Sequence, residues 1–187
     1  MLLIFILLVI VIFIVIVFFA FPQFSPIPYF PSNGKDMGLI VDALELKNDQ
    51  TVIDLGAGDG AVVFAAAGDA YKRKLKTQFI AIDINPVLIL IMYIKWFFHP
   101  NRRNIKIIRG NIFSIDVKKL ITPYPPLAAI YLYISPWYLE MVIKNLKFQI
   151  KNFSVISYMY PIKSLKKMEK IIKGLKHNIF RYNVINV

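Results

Sequence analysis

The chain's 187 residues leave room for one domain of ordinary size plus an appendage. Its 57% hydrophobic content and mean hydropathy of +0.57 are too high for a plain soluble domain. The absence of Cys excludes disulfides, thiol catalysis and thiolate metal sites, and a net charge of +12 asks for an anionic neighbour. Anionic membrane lipid is the economical choice, with nucleic acid disfavoured and a Lys-, Ile- and Asn-rich coding bias the bland alternative.

Residues 2–21 hold no charged or polar side chain, and about 20 such residues cross a bilayer as a helix. A cleaved signal peptide would need a basic start, a shorter apolar core and small residues at the cut, none of which is present. Residues 1–22 therefore read as a single-pass transmembrane anchor. The 23 Lys and Arg against 11 Asp and Glu fall after it, with Lys35 the nearest, which places the following domain on the cytoplasmic side. Residues 23–36 form a Pro- and aromatic-rich linker, and residues 37–187 form the domain.

Met37, Ile40, Val41 and Leu44 have helical spacing over 37–46. TVIDL (51–55) reads as a strand, 56–60 as a glycine turn, and AVVFAAA (61–67) as the start of a compact helix. A basic loop (72–76) leads to a second strand at 78–82, with Asp83 at its end. Pro86 suits the first position of a helix over 87–98, apolar nearly all round and too short to span a bilayer, which reads as packed against the sheet, with a membrane-surface contact as the second reading. Strands follow at 105–108, 127–134 (LAAIYLYI), 153–160 (FSVISYMY) and 179–187, with PYPP (123–126) as a loop and a helix at 137–148. Residues 164–175 read as a basic amphipathic helix with Leu165, Met168, Ile171, Ile172 and Leu175 on one side, a candidate membrane-surface contact or a cover for the sheet. This alternation predicts an α/β, Rossmann-like, doubly wound and mainly parallel sheet behind one transmembrane helix.

VIDLGAGDG (52–60) carries the chemistry. Gly56, Gly58 and Gly60 lie between a strand and a helix, where glycine allows a sharp turn and a ligand lying against the backbone. A dinucleotide fold wants G-x-G-x-x-G beside a pyrophosphate, but here the third Gly comes one residue early and Asp59 would repel phosphate. S-adenosylmethionine has no phosphate and is positive at its amine and sulfonium, which suits Asp54 and Asp59. Asp83 stands where an acid accepts from ribose hydroxyls, and Asn111, after the third strand, can read an adenine edge. An acid and an amide at successive strand ends beside the turn form a coherent cofactor site.

VIDLGAGDG followed by AIDINP resembles the first two motifs of class I S-adenosylmethionine-dependent methyltransferases. More narrowly, Tyr29-Phe30-Pro31-Ser32, DLGAGDG, IDINP, YLYISP and VISYMYP resemble a family of membrane-anchored protein lysine methyltransferases acting on the ATP synthase c subunit and the adenine nucleotide translocase, with its bacterial relatives. The similarity runs from about Pro28 to the end. It implies S-adenosylmethionine held by Tyr29, Asp54, Gly56, Ala57, Gly58, Asp59, Gly60, Asp83, Ile84, Asn85, Asn111 and Ile112, and a membrane-associated protein as methyl acceptor. Two positions depart from the family: Ala61 stands where a basic residue is usual, and Asp83 where Glu is common.

Methyl transfer needs alignment and exclusion of water, and a lysine acceptor must be neutral when it attacks. Tyr133, Ser135, Pro136 and Trp137, after the fourth strand, are the candidate acceptor-site residues, with Tyr29 and Phe30 closing the pocket from the linker side. The plain alternative for the aromatics is core packing. His99 and His177 read as surface residues, and no metal is expected. Other functions remain open: a methyltransferase for a lipid or quinone-like molecule, or a catalytically idle tethered binding module. An RNA methyltransferase is weaker, since no NPPY-like motif follows the fourth strand.

Overall fold

The computed structural model describes residues 1–20, 29–121 and 127–185, with the side chains of 14–20 and 127 excepted. Seven strands, β1 (Gln50–Leu55), β2 (Gln78–Asp83), β3 (Ile105–Arg109), β4 (Leu127–Leu132), β5 (Asn152–Tyr158), β6 (Glu169–Ile172) and β7 (Ile179–Ile185), form one sheet. Their order is β3-β2-β1-β4-β5-β7-β6. β1 to β5 are parallel, and β7 runs antiparallel to both β5 and β6.

Burial on both faces explains why the strands read as continuous apolar runs. Val52, Phe79, Ala129 and Ile156 pack with α2 (Met37–Ala43), α3 (Ala61–Lys72) and Met92 of α4 (Pro86–Phe98). Ile53, Ile80, Ile130 and Val155 point the other way, onto Leu139, Val142 and Leu146 of α5 (Pro136–Gln149). Ala66, Ala67 and Ala70 are fully buried, so α3 lies close against the sheet. α4 begins as the sequence suggests: the Asn85 side chain accepts from Val87 N–H, and Pro86 takes the first turn. Parallel pairing of Leu55 with both Ile82 and Leu132 sets the ends of β1, β2 and β4 side by side, which makes the site.

The helix expected over 164–175 is overturned. Lys163–Met168 is a 3-10 turn and Glu169–Ile172 is β6, an edge strand with Ile171 opposite Phe180 and Ile172 opposite Ile179. Without β6 one side of β7 would be an unpaired edge, and pairing there outweighs a helical repeat that buries little. Leu165 is buried, but Met168, Ile171 and Leu175 are exposed, so no single apolar face exists. A membrane-surface helix at 164–175 is therefore ruled out. Smaller differences are that α3 runs on to Lys72 and that β4 ends at Leu132. The PYPP loop, linker residues 23–28 and residues 186–187 lie outside the described residues.

α1 is a helix over Leu2–Ala20, 19 residues, or about 28 Å at 1.5 Å per residue, with the side chains of 1–13 exposed. Among the described residues no helix is long and apolar enough to cross a membrane. The span expected over 1–22 also draws on side chains 14–22, which lie outside them.

Candidate active site

β1 leads into a turn in which Gly56, Gly58 and Gly60 all take left-handed backbone conformations, at φ +85°, +59° and +77°. The turn is tied to the next strand, because the N–H groups of Gly56 and Ala57 both donate to the Ile82 carbonyl at 2.9 Å. Asp83 completes the brace: its Oδ2 accepts from Gly58 N–H and its Oδ1 from Asn85 N–H, each at 2.8 Å. Burial raises the Asp83 pKa, while the backbone N–H groups of Asn85, Gly58 and Ile84 act the other way. Three N–H donors leave the carboxyl with one lone pair for a ligand hydroxyl.

Beside this turn is a narrow cleft of about 20 Å³. Its floor is Asp54, Gly56, Ala57, Gly58 and Asp59, and its far wall is Tyr131 and Tyr133. Tyr29, Phe30, Pro31 and Ser32 cross it as a strap. The Tyr29 ring lies so near Gly58 that a Cβ there would meet its Cε2 at 2.5 Å. Burial, then the charge of Asp59 and a hydrogen bond to it, push the Tyr29 hydroxyl up to about 12. Ser32 Oγ and the Tyr131 hydroxyl are 2.8 Å apart, which pins the strap to β4.

The strap is fixed at its root by Asp36, fully buried and without a signal in the local sequence pattern. Its Oδ1 accepts from Leu175 N–H (2.5 Å) and Lys176 N–H (3.1 Å), and its Oδ2 from His177 N–H (3.0 Å) and the Tyr158 hydroxyl (2.7 Å). Burial alone would raise the Asp36 carboxyl, but the Tyr158 hydroxyl and the N–H groups of His177, Lys176 and Leu175 outweigh it and hold the group at about 2. Tyr158 in turn sets Tyr133, whose ring packs edge-on against it with centroids 5.0 Å apart.

Carboxyl groups crowd the floor. Asp54 is 2% exposed, and its pKa is driven well above the usual carboxylate range by burial, then by the charges of Asp83 and Asp59. Asp59 is partly neutralised by Lys95, the one charged residue of α4, whose Nζ is 2.5 Å from Oδ2 and 3.1 Å from the Asp59 carbonyl. Asp59 Oδ1 also accepts from Ala61 N–H at 3.2 Å. Lys95 thus brings a cation to the turn, while position 61 carries none. A lone Lys in PVLILIMYIKWFF was the sequence signal for it. The site therefore suits a ligand that is positive near Asp54 and offers hydroxyls to Asp83.

The other expected residues lie around this centre. Asn85 is buried and uses its side-chain oxygen to cap α4, and the Ile84 carbonyl accepts from Arg109 Nε at 3.3 Å. Asn111 is exposed, with Oδ1 accepting from Phe113 N–H at 2.9 Å, and Ile112 is buried in the core beneath it. Tyr133 is half-buried on the cleft wall. Ser135 and Pro136 open α5, and Trp137 is 85% exposed, outside the lining of the cleft. His99 is a structural link, bonded to the Phe64 carbonyl and Asn101 N–H at 3.1 Å each. The His177 ring packs edge-on to Tyr158. Among the described residues no group of His, Asp and Glu is arranged to hold a metal ion.

No protein-family model matches the chain. It is 34% identical over 110 residues to a ribosomal RNA small subunit methyltransferase A of Mycoplasma capricolum, a match covering 58% of this chain and 38% of that relative. The chain thus spans about two fifths of that relative's length. It is 22% identical over 160 residues, 83% of this chain and 92% of the relative, to a protein-lysine N-methyltransferase of Saccharolobus islandicus. An RNA methyltransferase of Salinibacter ruber, solved in complex with S-adenosyl-L-homocysteine, superposes with a TM-score of 0.68 at 17% identity, over 84% of this chain and 95% of that one. The fold is that of class I S-adenosylmethionine-dependent methyltransferases.

Proposed function

We propose that this protein is an S-adenosylmethionine-dependent methyltransferase, held by α1 at the cytoplasmic face of a membrane, that methylates a lysine of a membrane-associated protein. The observation that carries the reading is the cleft itself, in which a left-handed glycine turn and two buried carboxylates, Asp54 and Asp83, sit opposite Tyr131 and Tyr133. The cofactor supplies an electrophilic methyl group on a sulfonium. Asp54 would balance its positive charge and Asp83 would accept from its ribose hydroxyls. Tyr133 and the strap exclude water, and an amine enclosed by these rings loses its proton more readily, which frees its lone pair for in-line attack.

The lysine acceptor is supported by the aromatic wall and by the relative named as a protein-lysine N-methyltransferase. The membrane location is supported by the apolar 19-residue α1 and the net charge of +12. RNA is the second reading, favoured by the 34%-identical relative and the Salinibacter neighbour. Whole membranes incubated with the enzyme and labelled S-adenosylmethionine, then separated into protein, lipid and RNA, decide between them. Label is expected in a protein band; label confined to RNA or lipid would refute the lysine reading. An idle binding module would give no label in any fraction.

Cofactor binding should also release a proton. The positive ligand favours ionised Asp54, whose raised pKa keeps it protonated above the ordinary 3.8. Affinity for S-adenosylmethionine therefore rises as pH climbs through that window. The sign for the cofactor-free domain is opposite, since it loses stability over the same interval as the unfolded-state carboxyl ionises while folded Asp54 stays protonated. Calorimetry in two buffers of different ionisation enthalpy measures the proton directly. Equal heats in both, or affinity that falls with rising pH, would contradict the role of Asp54.

A further inference from the structure

α4 turns Leu88 and Met92 into the core and leaves a second apolar stripe outside. Leu90, Tyr93, Ile94, Phe97 and Phe98 are 61%, 49%, 56%, 59% and 79% exposed, and they follow the i, i+3, i+4, i+7, i+8 spacing of one helix face. Nothing in the described structure covers them, and singly scattered exposure does not produce such a row. Residues 84–110 hold five cations and no acid; of the five, Lys95 is paired with Asp59, while Arg102, Arg103, Lys106 and Arg109 form no salt bridge among the described residues. Arg102 is held beside the stripe, its Nη1 donating to the Phe97 carbonyl at 2.9 Å and its guanidinium 5.8 Å from the Phe97 ring centroid. Arg109 lies on the same face of β3 as Ile105 and Ile107, the face that packs on α4.

We propose that this face of α4 lies on an anionic bilayer surface, as a second membrane contact beside α1. The proposal rests on the membrane half of the functional reading and deepens it. An apolar stripe bordered by cations is the pattern of an interfacial helix, with the rings and aliphatic chains entering the headgroup boundary and Arg102, Arg103 and Arg109 meeting lipid phosphates. A second copy of the chain fits less well, because docking stripe to stripe would face two acid-free cationic borders. RNA would use the cations but leave the five apolar side chains in water.

The test uses the full chain, which has no native Cys to interfere with labelling. An environment-sensitive fluorophore is placed on Ile94→Cys, and a control probe on Lys144→Cys, exposed on α5 across the sheet. Both proteins are reconstituted into vesicles of phosphatidylcholine, alone or mixed with phosphatidylglycerol. The Ile94 probe is expected to shift to the blue in the mixed vesicles and to lose emission when the lipid tails carry bromine. The Lys144 probe stays water-like. Arg102→Glu with Arg103→Glu should reverse the Ile94 shift. A probe at 94 that stays water-like in both vesicles overturns the proposal. So does one that responds to protein concentration but not to brominated lipid, which marks a second copy, or one that responds only to added RNA. S-adenosylmethionine binding, measured on the same samples, separates the two readings: retained binding without a lipid signal removes the docking face and leaves the enzyme standing.

Discussion

Replacing Asp36 with Ala is expected to lower domain stability by about 3 kcal/mol, the largest single loss outside the central core. The side chain is fully buried and accepts from three consecutive backbone N–H groups and the Tyr158 hydroxyl. Alanine would strand all four donors, and bonds to a charged acceptor contribute roughly 1.5–3 kcal/mol each, without full additivity. At about 2–4 °C per kcal/mol for a domain of this size, the melting midpoint should fall by roughly 10 °C. Asp36→Asn keeps one acceptor oxygen and should lose about half as much. The acid side of the melting curve gives an independent readout. The folded-state pKa of about 2 lies below the ordinary 3.8, so this contribution is complete above 3.8 and disappears as pH falls through 2. Thermal melts of wild type and Asp36→Ala between neutral and acid pH should therefore converge. Curves that stay parallel, or a midpoint shifted by no more than a degree or two, would remove Asp36 from its place as the root of the strap.

Gly58→Val should abolish most cofactor binding while the domain remains folded. Position 58 takes φ +59°, which costs a β-branched residue about 1–2 kcal/mol. Its new Cβ would also sit 2.5 Å from Tyr29 Cε2, so the ring must leave the floor of the cleft. Together these amount to about 2–3 kcal/mol, or roughly a 30- to 160-fold weaker Kd for S-adenosylmethionine. Gly38→Ala is the matched control, since nothing lies within 4 Å of a Cβ at that helical position and its φ is ordinary. Calorimetry should find unchanged affinity for Gly38→Ala and near-complete loss for Gly58→Val. Equal affinity in the two variants would mean that the ligand does not lie over Gly58.

The first five strands, the glycine turn and Asp83 at a strand end were legible because each leaves a local mark. TVIDL before three glycines, and Asn85-Pro86 before an apolar run, fix two strand ends and a helix start within a few residues. The same reasoning failed at 164–175. Leu165, Met168, Ile171, Ile172 and Leu175 fit a helical repeat, yet the unpaired edge of β7 recruits the segment as a strand, and an edge is a property of the whole sheet. Asp36 was unreadable for a related reason: its partners lie 139–141 residues along the chain. Asp59 was read as an acid for the cofactor, whereas Lys95 takes much of its charge. A lone Lys in an apolar helix announces that it needs a partner without saying which one.

The strap also sets a length. Tyr29 stands on the cleft floor, and nine residue steps separate it from Ala20, the last residue of α1. A chain at full stretch covers no more than about 3.6 Å per residue, so the mouth of the cleft never lies more than about 32 Å from the end of that helix. Any body that immobilises α1 therefore keeps the site on a short leash, and acceptors within that radius are met at a high effective concentration while those beyond it are out of reach. Lengthening the chain between α1 and Tyr29 would enlarge that radius without altering the cleft.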